Sequence, residues 1–132
     1  MLYRAIALVV FLSVLVLPAA SGARPYPRGK PFHIGFVTDG PGPTSSAFIQ
    51  RIKKEVGALV AGEFEVAFPA DKLVHGDRTN KGIAVATERL LAEPGVQLVI
   101  GVGPLASHLL ARRERLPRAA IACHVVDPAA QG

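Results

Sequence analysis

Two short segments carry residue types that could grip a small polar molecule. In TDGPGPTSS, residues 38–46, the carboxylate of Asp39 is followed by Gly40 and then by the hydroxyls of Thr44 and Ser45. In VIGVGPLAS, residues 99–107, Gly101 and Gly103 break an apolar run, and Leu105 and Ser107 follow at the start of an amphipathic stretch. A strand that turns on glycine into a helix leaves backbone N–H groups free at the helix start. Those donors and the local dipole favour an anionic group such as a carboxylate. On this reading Asp39 accepts from the amine of a ligand, while Thr44, Ser45 and backbone N–H groups hold its acid end. Gly103, Leu105 and Ser107 face them from the second loop, and His124 reaches the same edge from a later apolar run. The plainer reading makes Asp39-Gly40 a turn and Ser45 a helix cap.

Other patterns are weaker. Residues 101–106 match G-x-G-x-x-A between a strand and a helix, with Asp127 at a suitable distance, which is the alanine form of the dinucleotide fingerprint. That fingerprint belongs to the first strand–helix unit, whereas this would be the third. His33, His75, His108 and His124 show no metal-ligand spacing, and His75 with Asp77 reads as a loop hydrogen bond. There is no G-x-S-x-G elbow and no phosphate-loop lysine. No catalytic residue, metal site or cofactor is expected, and the chain is read as non-enzymatic.

The elements that must position these residues follow from periodicity. Phe32 to Thr38 reads as a strand, and a helix from Thr44 or Ser45 to Gly62 turns Phe48, Ile52, Val56, Leu59 and Val60 to one side. Glu63 to Phe68 reads as a second strand and Ala70 to Arg78 as a loop. Thr79 to Leu91 forms a second helix, with Ile83, Ala86, Leu90 and Leu91 inward. Gln97 to Val102, apolar on both faces, suits a central parallel strand. Pro104 opens a third helix that runs toward Leu116, and Arg118 to Val126 holds a fourth strand. This βαβαβαβ order implies an α/β fold, a doubly wound parallel sheet of order 2-1-3-4 with right-handed crossovers. One face of strands three and four is left bare, and the chain is expected to be the first portion of a longer lobe.

Length and composition set outer limits. The 132 residues hold at most one domain. Residues 1–23 have the layout of a secretory signal: Arg4, an apolar run from Ala5 to Leu17, then Pro18 and small residues. That run is shorter than a bilayer span, so cleavage and a soluble periplasmic product are expected, with membrane attachment only where the signal stays uncleaved. Residues 24–31 form a proline-rich extended lead-in, and residues 32–132 the α/β lobe. Arg4 aside, 14 Lys and Arg face 10 Asp and Glu, which is a modest surplus. The groups RIKKE and ARRER read as solvated helix faces, and with no Trp and few aromatics nucleic acid is not an expected partner. Cys123 is the single cysteine and reads as a small buried hydrophobe.

Taken together, the leader, HIGFVTDGPG, GEFEVAFPADK with HGD, LLAEPGVQLVIGVGPLASHLLARR and LPRAAIACHVVDPAAQG resemble the amino-terminal part of bacterial ABC-transporter substrate-binding-like proteins of the type I periplasmic-binding-protein fold. The resemblance runs over residues 32–132 and rests on order and spacing. It implies a partial Rossmann-like lobe that captures a small molecule, an amino acid or small acid, at the carboxyl ends of its strands. It also implies hand-over to a membrane permease or sensor. The alternative is a periplasmic sensory or protein-interaction module of the same fold without a transport role.

Overall fold

The computed structural model describes residues 29–125. The signal-like leader, most of the lead-in, Val126 and Asp127 lie outside the described residues.

Strand β1 (Phe32–Thr38) is followed by helix α1 (Pro43–Leu59). Pro43 takes the first helical position, where a fixed φ and a missing N–H cost nothing. Strand β2 (Val66–Ala67), a 3-10 turn (Ala70–Lys72) and strand β3 (Leu73–His75) lead to helix α2 (Asn80–Ala92). Thr79 caps α2 by accepting from the Gly82 N–H at 3.0 Å. Strand β4 (Leu98–Val102), helix α3 (Pro104–Ala111) and strand β5 (Ala119–Ala122) complete the fold.

All strand pairs are parallel, in the order β2-β1-β4-β5, with β3 also on β1. The architecture is therefore an α/β sheet flanked by helices, consistent with a partial Rossmann-like lobe, and its order is the expected 2-1-3-4. The expected second strand is shorter than its pattern, and part of the expected 70–78 loop is strand. β2 pairs with the start of β1 (Phe32 opposite Val66) and β3 with its end (Thr38 opposite His75). The two form one edge strand broken between them, where Pro69 has no N–H to donate to a ladder.

Side-chain alternation sorts the core onto the two faces. Ile34, Phe36, Ile100 and Val102 pack with Ile49 of α1 on one face. Val37, Val99, Ile83, Leu90, Ala106 and Leu110 pack on the other, under α2 and α3. Ile49 is the buried anchor of α1, and Leu59, expected inward, is 80% exposed. Val56 and Val60 still line a groove against Phe32, Ile34 and Leu98, so the sheet continues beneath this end of the helix and Leu59 lies on the solvent flank of the apolar stripe. The expected bare face is confined to β5. Ile100 of β4 is buried by the α1 packing, whereas Ile121, its neighbour in register, is 48% exposed. Helix α3 stops at Ala111 rather than Leu116, and β5 at Ala122 rather than Val126.

Cys123 packs against the α1-side cluster, and burial pushes its thiol above the usual range. A thiol reagent at neutral pH is therefore expected to label the native protein much more slowly than the urea-unfolded chain. Equal rates would contradict the packing of this end of β5.

Candidate functional site

The reversal of strand order between β1 and β4 creates the site. The chain leaves β1 toward α1 on one face and leaves β4 toward α3 on the other, and β1 and β4 are neighbours. Loops that diverge in this way leave a crevice beyond the carboxyl ends of the two strands, the position at which open α/β sheets take ligands. A cavity of about 570 Å³ lies there. Asp39, Gly40, Thr44 and Ser45 line it from the first loop, Gly103 and Leu105 from the second, and His124 from beyond β5. Phe48 and Val102 supply apolar wall.

Asp39 already has protein partners. Its carboxylate accepts the N–H of Leu105 at 3.1 Å and of Ala106 at 2.7 Å, so it caps α3 from a loop 66 residues earlier in the chain. The donors expected to face a ligand at the start of α3 are thereby taken. Gly103 makes this approach possible, since a Cβ on it would sit 2.5 Å from the Asp39 carboxyl carbon. Its φ of +107° is also one that glycine alone adopts readily. Gly101 serves packing, because its Cβ would meet Leu110 at 2.7 Å. The two glycines of the fingerprint-like run therefore accommodate Asp39 and Leu110, and a carboxylate occupies the place where a pyrophosphate would sit.

Ser107 is not part of the cavity wall. It is completely buried, its hydroxyl donates to the Gly101 carbonyl at 3.1 Å, and the same oxygen accepts the His124 N–H at 3.0 Å. It joins α3 to β4 and to the residue after Cys123. His124 is exposed, its Nδ1 accepts the Gly103 N–H at 3.3 Å, and its ring lies 5.2 Å from that of Phe48. Its ring proton therefore sits on Nε2.

The start of α1 remains open. Gly42 is its N-cap, no side chain caps it, and Ser46 turns its hydroxyl back to the Gly42 carbonyl at 2.9 Å. Pro43 has no N–H, so Thr44 and Ser45 are the first helical positions that carry one, and both line the cavity.

Arg78, from the loop between β3 and α2, is a charged lining residue outside the expected set. Its Nη2 donates to the Pro41 carbonyl at 2.9 Å and its backbone N–H to the Asp39 carbonyl at 2.8 Å. No local signal marks it, since the contact spans 37 residues and two loops. His75 and Asp77 do not bond each other. The His75 ring meets the Thr38 hydroxyl at 2.8 Å, and that hydroxyl also donates to the Gly40 carbonyl, so His75 Nδ1 is the donor in the pair. Asp77 accepts from Thr79 N–H and hydroxyl, which hold its carboxyl below the usual range.

Among the described residues no group of His, Cys, Asp and Glu could hold a metal ion, and no helix is long and apolar enough to cross a membrane. Searches of family models, curated proteins and solved structures return no match for this chain.

Proposed function

We propose that this chain is the amino-terminal lobe of an exported solute-binding protein of ABC-transport type. It receives a small molecule in the crevice between the β1–α1 and β4–α3 loops. The observation that carries the reading is the cavity at the point where the strand order reverses between β1 and β4, lined by an uncapped helix start, two hydroxyls and an apolar wall. Thr44 and Ser45 meet the polar end of the solute, while Phe48, Val102 and Leu105 take its carbon skeleton. Asp39 shapes the crevice by fixing the start of α3. Capture is binding without bond making, and release passes the solute to a membrane permease.

A second reading, a periplasmic sensory or interaction module, draws on a different surface. An apolar groove of about 290 Å³, lined by Phe32, Val56, Val60 and Phe64 among others, lies on the α1 side of the sheet, with Phe64 54% exposed. Fractionation of cells expressing the full sequence, followed by a thermal-shift screen of amino acids and small acids, separates the two. The solute-binding reading expects periplasmic protein whose melting midpoint rises with one compound class, and loses that rise in Thr44→Val/Ser45→Ala. Protein held in the membrane fraction and indifferent to every solute would favour the interaction module.

A further inference from the structure

The cavity holds three ionisable side chains, and their bonds make them unequal. Asp39 accepts one backbone N–H on each carboxylate oxygen at the start of α3, whose dipole offsets part of its charge. His124 uses Nδ1 as an acceptor from Gly103. Arg78 alone brings a permanent positive charge. Among the described residues no carboxylate pairs with it, Asp39 included, although both line the same space. One of its five N–H donors goes to the Pro41 carbonyl, which anchors the guanidinium beside the β1–α1 loop.

The backbone adds an independent observation. Arg78 has a φ of +65°, the one left-handed non-glycine residue among those described. Arginine is an unfavoured choice at such a position, which glycine or asparagine occupies more readily. The side-chain stem lies across Gly40, where a Cβ would come within 2.9 Å of Arg78 Cγ, so the loop beneath is shaped to admit it. An unfavoured backbone held at the rim of a cavity, with a guanidinium leaning into it, points to a role for the side chain rather than for the turn.

We infer that Arg78 is the residue that sets the ligand class: the crevice takes an organic anion, a carboxylate carried on an apolar or aromatic body, and Arg78 is its counter-charge. The inference rests on the solute-capture reading and narrows it. Guanidinium matches a carboxylate through parallel N–H donors, a fit that an ammonium does not reproduce. Phe48, Val102 and Leu105 then accommodate the body of the ligand.

Three matched probes test it: phenylacetate, phenylacetamide and phenethylamine, which share one ring and differ in charge. Titrated into the protein produced from its full sequence and followed by amide NMR, phenylacetate is expected to shift the Gly40, Thr44 and Ser45 signals. It should bind about tenfold more tightly than the amide, the scale of a charge-assisted hydrogen bond in a partly open site. The preference should shrink with added salt. Arg78→Gln is expected to erase it, and Arg78→Lys to keep a fraction. Arg78→Gly relaxes the backbone, so it should melt no lower than wild type and still lose the preference, which separates ligand selection from folding. Acid and amide binding equally well in the cavity, or a preference that survives in Arg78→Gly, would overturn the inference while leaving solute capture standing. Failure of all three probes to shift any cavity signal would overturn the inference, and solute capture falls with it only if amino acids and small organic acids leave the same signals unmoved.

Discussion

Replacing Gly103 with alanine is expected to destabilise the fold by about 3 kcal/mol, from one to three for a side chain in a glycine-only backbone region plus one to two for a displaced cap. Both costs arise at one atom. The alanine must hold a φ of +107° and its Cβ lands 2.5 Å from the Asp39 carboxyl carbon, so either α3 tilts or the carboxylate leaves. For a domain near 100 residues the melting midpoint should fall by about 15 °C. The damage should not stay local, because α3 carries Ala106 and Leu110 into the core shared with α2. Urea unfolding of Gly103→Ala against wild type checks it, and a loss below about 1 kcal/mol would mean that Asp39 does not hold α3 as described.

Asp39→Ala is expected to cost about 2 kcal/mol, since it strands two N–H groups at a partly buried helix start and removes a charge that the helix dipole favours. Asp39→Asn keeps one acceptor oxygen and should recover roughly half of that loss. Gly103→Ala and Asp39→Ala remove the same interaction by different routes, so the double variant should be less destabilised than the two single losses together. A cycle that adds without remainder would show that the two residues act independently.

The parallel order 2-1-3-4 was legible because each apolar run has its own period and each connection is short, which leaves few right-handed ways to assemble them. The cavity's position followed from the same logic. Orientation within each element was less legible. Ser107 looked like a ligand group because a hydroxyl in a first helical turn reads alike whether it faces a crevice or a neighbouring strand. Only the docking of α3 on β4 and β5 turns it inward. Leu59 is exposed and Ile49, absent from the expected inward set, is the buried anchor, because the helical period outlines a broad apolar stripe without fixing which of its edges the sheet covers. The strand Leu73–His75 was hidden by its length, three residues between a 3-10 turn and Gly76, and exists through pairing with β1. Asp39 and Arg78 were the hardest cases. Their partners lie 66 and 37 residues away, so neither the capping of α3 nor the brace on Pro41 leaves any trace in spacing.

The central claim is that a solute enters the crevice where β1 and β4 diverge. The most direct measurement is an amide NMR map of the protein titrated with a panel of amino acids and small organic acids. The account predicts that at least one compound moves a contiguous set of signals from Gly40, Thr44, Ser45, Gly103, Leu105 and His124, with the far end of the sheet unchanged. A well-dispersed spectrum that no compound disturbs, or shifts confined to Phe32, Val60 and Phe64 around the apolar groove, would contradict it.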